Sequence, residues 1–226
     1  MKELFRYTIA DGVEAFSTER DAVLPYYVVQ PHQVHGCEIR EVLRADTTRD
    51  ELEGVDALVT NVPGVAISVR TADCIPVLLY DPVHKAIAAV HAGWRGTVQH
   101  ISLKVIDRMR ELYGTQASNL LAVIGPGIGP DSFQVGQEVA DAFAAAGFPM
   151  AEILKDCGPK APTADNPMAG GLHIDLWRAN EWLLQKAGVS EIQVAGICTY
   201  KNNDRYFSAR REGTKCGRII NCIRLT

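Results

Sequence analysis

Short apolar runs bounded by turn-forming residues recur along the chain and predict β-strands. Five such runs, rich in valine, isoleucine and alanine, cover residues 65–69, 77–80, 86–90, 120–124 and 192–197. Because apolar residues follow one another with little polar alternation, these runs are typical of strands buried on both faces. The pattern therefore predicts sheet structure at the centre of the core.

Three other segments repeat apolar positions at intervals of three and four, which predicts amphipathic helices. They cover residues 101–112, 137–146 and 176–184. Gly147 supplies a stop for the second of them, and Asp175 supplies an N-cap for the third. Strands and helices thus alternate, which is typical of sheets covered by helices.

The end of the chain favours mixed sheets over a plain parallel, doubly wound sheet. Residues 206–225 contain few helix formers and are predicted to be strand-like. The one loop-like break is residues 157–171, where glycine, proline, aspartate and asparagine cluster. We therefore expect an α+β fold with mixed β-sheets, organised as a single domain over residues 1–226.

Composition narrows the range of partners. The 226 residues are 47% hydrophobic and 22% charged, with a net charge of −4, so a strongly basic nucleic-acid face is not expected. The apolar runs are far shorter than the roughly 20 residues of a membrane span, and residues 1–9 lack the apolar core of a secretory signal. We expect a cytoplasmic protein with six free cysteines and a small-molecule partner. The sequence does not indicate an oligomeric state.

The most informative chemistry lies at the ends of two predicted strands. Cys74 precedes one strand and His91 follows the other, so a hairpin with its turn at residues 81–85 would bring thiol and imidazole to the same end. His35, beside Gly36, supplies a second imidazole. One thiolate and two imidazoles suit zinc, and three protein ligands leave one coordination position open, as in catalytic zinc sites.

Other interpretations of these residues stay open. Cys74 can be a nucleophile with His91 as its base and Asp73 or His35 as the orienting group, as in cysteine hydrolases. A trigonal copper site is a further option, although it would be expected to have a weak axial methionine and none is near in sequence. In the simplest case Cys74 is a small buried residue and His91 a hydrogen-bonded strand-end histidine.

Arginines form a second group of candidates. Arg95 precedes a helix predicted from Val98, whose free amides could help it to hold an anion such as phosphate. Ser208, Arg210 and Arg211 lie together near the C-terminus. Alternation along a strand would place Ser208 and Arg210 on one face and Arg211 on the other, although charges on an edge strand can also serve solubility alone.

Taken together, eight segments resemble the laccase-domain family over residues 33–218. This family is also called multicopper polyphenol oxidase-like or peptidoglycan editing factor, and its members are often described as purine nucleoside phosphorylases. The segments are QVHG (33–36), DALVT (56–60), RTADCIPVLLYDP (70–82), AAVHAGWRGT (88–97), IGPGIGP (124–130), HIDLWRAN (173–180), CTY (198–200) and YFSARREGTKCGR (206–218).

The resemblance implies a four-layer α/β/β/α sandwich with a zinc site made by His35, Cys74 and His91. It also implies phosphorolysis of adenosine, inosine and methylthioadenosine together with adenosine deamination, so that purine nucleoside and phosphate are the expected partners. Copper in place of zinc is possible, but a multicopper centre would need more imidazoles than six histidines provide. An amide hydrolase acting on cell-wall precursors is the alternative that another family name suggests.

These activities assign roles to the remaining candidates. Asp73 is the nearest carboxylate to Cys74 in sequence and is the candidate for proton transfer. Arg95, Arg210 and Arg211 are the candidate phosphate ligands, and Ser208 is a possible helper. A zinc-bound water, with a pKa near 7, would serve deamination.

Overall fold

The computed structural model describes residues 3–161, 163 and 168–226. The strands are β1 (Leu4–Tyr7), β2 (Val13–Thr18), β3 (Glu38–Glu41), β4 (Val55–Thr60), β5 (Ala66–Thr71), β6 (Ile75–Asp81), β7 (Ala86–Ala92), β8 (Leu121–Ile124), β9 (Gln134–Val135), β10 (Leu154–Asp156), β11 (Leu172–Ile174), β12 (Glu191–Val194) and β13 (Ile219–Leu225). The α-helices are α1 (Trp94–Val98), α2 (Ile101–Tyr113), α3 (Gln137–Ala145), α4 (Met150–Ile153), α5 (Leu176–Ala187) and α6 (Ala209–Glu212).

The centre of the molecule is a six-stranded mixed sheet in the order β12-β8-β6-β7-β4-β3. Its inner strands β6 and β7 form an antiparallel hairpin in which every residue is buried, as their unbroken apolar runs predict. The outer pairs β12–β8 and β3–β4 are parallel. The five predicted strands are thus confirmed, but β12 is largely exposed because it lies at the edge of the sheet.

A second sheet, wholly antiparallel in the order β1-β2-β13-β5, packs against one face of the first. Side chains from both sheets form the apolar layer between them, among them Val69, Leu78, Tyr80, Ile87 and Ile223. Burying such side chains contributes about 1.5–3 kcal/mol each. This layer fixes β5 and β6 relative to each other, and the residues that link these two strands include Asp73 and Cys74.

Helices cover the opposite face of the six-stranded sheet. Val105 and Met109 of α2 and Leu183 of α5 pack against sheet residues such as Val77 and Leu79 in one core cluster. The three predicted helices are confirmed, and Asp175 caps α5 by accepting a hydrogen bond from the amide of Arg178 at 2.9 Å. The expected sandwich of mixed sheets and helices is therefore confirmed. Within the described residues, no helix combines the length and apolar character needed to cross a bilayer.

Three local expectations need correction. Residues 206–225 are not one strand, because the Ser208 hydroxyl accepts a hydrogen bond from the amide of Arg211 and begins the short helix α6; only β13 is extended. Arg95 does not precede a helix but lies in the first turn of α1, which begins at Trp94. Of the predicted loop 157–171, residues 162 and 164–167 lie outside the described residues.

The β6–β7 turn depends on Asp81, whose side chain is fully buried. Its carboxylate accepts hydrogen bonds from the amide of Val83 at 2.9 Å and from the ring of His84 at 2.8 Å. Burial alone would raise the pKa of Asp81, but these donors outweigh it and hold the pKa below its ordinary value. The ionised carboxylate therefore stabilises the hairpin that aligns Cys74 with His91.

Replacing Asp81 with asparagine should lower the free energy of unfolding by about 1–3 kcal/mol at pH 7, because an amide nitrogen would face the turn donors. The stabilisation by Asp81 is present above its unfolded pKa of about 4 and is lost as the pH falls below that value. Urea unfolding from pH 7 to pH 3 should show the difference between the two proteins shrinking. The exposed substitution Asp107→Asn is the control, and an equal effect from it would contradict this account.

Candidate metal centre and adjoining cleft

Three elements bring His35, Cys74 and His91 together. His35 lies in the loop before β3, Cys74 immediately before β6, and His91 in β7. The hairpin register pairs residue 75 with residue 92, which sets Cys74 beside the end of β7. The three potential ligand atoms all lie within 4.8 Å of one another. The structure thus contains the juxtaposition that the hairpin predicts.

Asp56, at the start of β4, holds the two histidines in place. Its side chain is fully buried, and its Oδ1 accepts a hydrogen bond from Nδ1 of His91 at 2.7 Å. The same carboxylate accepts the backbone amides of Val34 at 3.2 Å, His35 at 3.0 Å and Gly36 at 2.7 Å. Because the carboxylate can only accept, Nδ1 of His91 carries the proton and Nε2 is left as the ligand atom.

The loop that carries His35 adopts a conformation rare for a residue with a side chain. His35 has a φ of +63°, in the left-handed region. Asp56 offsets this strain through the three amides of the turn. Gln33 anchors the same loop to β5, donating to the carbonyl of Arg70 at 2.9 Å and accepting the Arg70 amide at 2.7 Å. The position of His35 is therefore fixed by two buried strands.

Close packing around Sγ of Cys74 explains why position 93 is a glycine. A Cβ at this position would lie 3.0 Å from Sγ of Cys74 and 3.4 Å from Cδ2 of His35. Any larger residue would push the two ligands apart. The glycine of the AGWRGT segment thus preserves the spacing of the cluster as well as the turn into α1.

Charge favours a thiolate beside an imidazolium in this cluster. Burial alone would raise the pKa of Cys74, but the charge of His91 and the hydrogen bond from His35 lower it to about 6. For His91, burial would lower the pKa, but the Cys74 thiolate and the Asp56 carboxylate raise it to about 9. Burial also opposes ionisation of Asp56, yet the hydrogen bonds from His91 and Gly36 keep its pKa below its ordinary value.

The cluster opens into a cleft of about 730 Å³. This volume is within the range of small-molecule sites, which run from roughly 300 to 1,000 Å³. Aromatic side chains of Trp94 and Phe133 line it together with polar ones. The cleft therefore combines apolar surface with the three potential ligands.

Asp73 and Arg210 meet on the wall of this cleft. Oδ1 of Asp73 accepts the hydroxyl of Thr199 at 2.6 Å, and Oδ2 accepts the backbone amide of Arg210 at 2.6 Å. The Arg210 guanidinium donates to the carbonyl of Gln134 at 2.9 Å and lies 5.5 Å from the ring centroid of Phe133. Both predicted residues thus lie in one cavity with Cys74.

The other candidates lie elsewhere. The exposed guanidinium of Arg95 stacks on Trp94 at 4.5 Å and does not line the cleft. Arg211 donates to the carbonyl of Tyr200 at 3.0 Å and lines a neighbouring cavity. Ser208 is buried and acts as the N-cap of α6, directly before the cleft-lining residues Ala209 and Arg210. The structure therefore brings Arg210, but not Arg95 or Arg211, together with the potential metal ligands.

The sequence patterns do not predict the residues that hold the site together. The one signal for Asp56 in the sequence is that it is the only charged side chain in the segment DALVT, which becomes a buried strand. Arg70 and Arg218 also line the cleft, but they received no role from the sequence. The glycine-rich turn 124–130 packs closely on the site: a Cβ at Gly127 would lie 2.5 Å from Ile75 and 3.1 Å from the carbonyl of Asp73.

Two named proteins are similar in sequence to most of this chain. A purine nucleoside phosphorylase of Bacteroides thetaiotaomicron is 40% identical, and the alignment covers 97% of this chain and 84% of the relative. A protein named adenosine deaminase RL5, from an unknown prokaryotic organism, is 39% identical, with 87% of this chain and 74% of the relative covered.

Solved structures show the same fold. The hypothetical protein YfiH of Bacillus licheniformis superimposes with a TM-score of 0.82 at 25% identity, covering 95% of this chain and 93% of that one. Protein NMB0706 of Neisseria meningitidis gives a TM-score of 0.80 at 25% identity, covering 99% and 98%. The model of one family, described as multi-copper polyphenol oxidoreductase laccase, matches residues 13–226. The resemblance seen in the sequence is confirmed, and the chain belongs to this laccase-like family.

Proposed function

We propose that the protein is a zinc-dependent purine nucleoside phosphorylase that acts on adenosine, inosine and methylthioadenosine and also deaminates adenosine. The observation that carries the proposal is the meeting of His35, Cys74 and His91 in one cleft with Arg210 and an aromatic wall. The names of the two relatives support the same chemistry. A cleft of about 730 Å³ has room for a nucleoside and a phosphate together.

The donor set fits zinc. One thiolate and two imidazoles are ligands of borderline softness, and three protein ligands leave one coordination position for a reactant. Asp56 fixes the tautomer of His91, as carboxylates behind metal-binding histidines commonly do. When bound, the ion supplies Lewis acidity toward the reacting group. A copper site with an axial methionine is disfavoured, since no methionine of the described chain lines the cleft.

The protein's own groups suit the two reactions. In phosphorolysis a phosphate oxygen bonds to C1′ as the C1′–N9 bond breaks, and the purine leaves with the bonding electrons and takes up a proton. In deamination water replaces the C6 amino group, which leaves as ammonia. Asp73 is our candidate for proton transfer in both, because its carboxylate lines the cleft and retains free lone pairs beyond its two hydrogen bonds.

Arg210 and Ser208 contribute to the proposed reactions in connected ways: one binds substrate and the other positions it. The Arg210 guanidinium contacts the carbonyl of Gln134, the sulfur of Met168 and the ring of Phe133, all of them uncharged, so its charge remains available to phosphate. Ser208 begins α6 and thereby sets the backbone of Arg210, whose amide holds Asp73. Ser208 is thus proposed as a positioning residue, and Arg210 as a substrate-binding one.

One alternative function has an observation in its favour. Cys74, His91 and Asp56 form a thiolate, imidazole and carboxylate series of the kind that cysteine hydrolases use. An amide hydrolase acting on cell-wall precursors would act without phosphate and would pass through a covalent adduct on Cys74.

Incubation of zinc-loaded protein with adenosine should distinguish these functions. With phosphate we expect adenine and ribose 1-phosphate, and without phosphate we expect inosine alone, both measured by chromatography. Cys74→Ala should lower both rates by about a hundredfold or more, because Lewis-acid stabilisation is worth several kcal/mol. Cys157→Ala, outside the cleft, is the matched control. Absence of all three products, or an adduct on Cys74 with an amide substrate, would overturn the proposal.

Alkylation provides an independent test of the cluster. In metal-free protein at pH 7, iodoacetamide should label Cys74 at least about tenfold faster than Cys37, because the pKa of Cys74 is lowered whereas burial raises that of Cys37. One equivalent of zinc should protect Cys74 and leave the labelling of Cys37 unchanged, as measured by peptide mass spectrometry. Equal rates, or no protection, would argue against a shared metal site.

A further inference from the structure

The arginines of this protein divide into two groups by their partners. Most of those on the outer surface pair with a carboxylate, as Arg108 does with Glu111 at 3.0 Å. Among the described residues, six arginines have no carboxylate within 4.0 Å, and four of them line the cleft beside the potential metal ligands. These four are Arg49, Arg70, Arg210 and Arg218. Unneutralised positive charge is therefore concentrated in one place.

Arg70 is the most constrained of the four. It lies in β5, its backbone is fixed by both hydrogen bonds to Gln33, and its register partner in β13 is Ile220. Its Nε is buried and has no hydrogen-bond partner in the described protein. Leaving a buried, charged donor without an acceptor is energetically costly, so this group is suited to a bound ligand that supplies one.

Arg218 is held next to it. Arg218 directly precedes β13, in which Ile220 pairs with Arg70, and both arginines line the same cleft. The Arg218 guanidinium donates to the carbonyls of Thr214 at 2.8 Å and Gly217 at 2.9 Å. These neutral acceptors fix the guanidinium in place but leave its positive charge uncompensated.

The arrangement is electrostatically unfavourable without an anion. Burial and the nearby charges of Arg49 and Arg218 lower the pKa of Arg70. Within the described part of the chain, Asp73 is the one acidic residue that lines this cleft, and it faces four arginines. Proteins that gather like charges in this way gain from binding the opposite charge, and guanidinium groups match the oxygens of phosphate in paired hydrogen bonds.

We propose that Arg49, Arg70 and Arg218, termed here the arginine cluster, bind inorganic phosphate together with Arg210, which lines the same cleft. Arg70 and Arg218 would supply directed hydrogen bonds, and the exposed Arg49 would attract the anion. This assignment rests on the proposed function for the role of phosphate as a reactant, but the binding itself does not. It moves the phosphate site away from Arg95 and Arg211, which lie outside the cleft, and places it on the β5–β13 side.

The test is titration calorimetry of the zinc-loaded protein with inorganic phosphate, in the absence of nucleoside. Arg70→Met and Arg218→Met should each weaken phosphate binding by about tenfold or more, since each removes a charge-assisted hydrogen bond to the anion. Arg70→Lys keeps the charge but loses the planar fork, so its affinity should fall between those of the wild type and Arg70→Met. Arg108→Met removes the same charge from the solvent-facing side of α2, outside the cleft, and serves as the matched control.

Steady-state kinetics of the same variants should separate phosphate binding from nucleoside binding. In Arg70→Met and Arg218→Met the KM for phosphate should rise by about tenfold or more, while the KM for adenosine should change far less. Unfolding midpoints establish that each variant is folded. If the variants bind phosphate more weakly but the wild-type protein carries out no phosphorolysis, the arginine cluster is supported and the proposed function is refuted. Unchanged phosphate affinity in both variants, or binding of adenosine 5′-monophosphate but not of inorganic phosphate, would overturn the cluster.

Discussion

The site depends on one buried carboxylate. Asp56 is fully inaccessible, and the cost of burying its charge is offset by four donors: the His91 ring and three consecutive backbone amides. A single side chain thus joins a strand of the central sheet to the left-handed turn that carries His35. Without it, the turn would lose the contacts that offset its strain, and the ring of His91 would lose its orientation.

The rest of the cleft follows from how the two sheets pack. β5 of one sheet leads directly into β6 of the other, and the short link between them carries Asp73 and Cys74. The same β5 presents Arg70, and its neighbour β13 follows Arg218. The potential metal ligands and the cleft arginines are therefore both positioned by the junction between the two sheets, which the apolar layer holds together.

Much of the fold could be predicted from the sequence, because unbroken apolar runs and stripes of period 3.6 are local signals. The Cys74–His91 juxtaposition could also be predicted, since a hairpin register is short-range. The helical turn at Ser208 could not, because one hydroxyl capping bond overrode a strand-like composition. Asp56 and Arg70 act through contacts with distant segments, so their roles appear only when β4, β5 and the His35 loop are seen together.

The most direct test of this account is the zinc affinity of Asp56→Asn, measured by competition with a chromophoric chelator. Asparagine preserves shape but removes the charge that fixes His91 and the amides around His35. The account predicts that zinc binding weakens by about 10- to 100-fold relative to wild type and to the exposed control Asp107→Asn. A folded Asp56→Asn protein with wild-type zinc affinity, or a wild-type protein that binds no divalent ion, would contradict it.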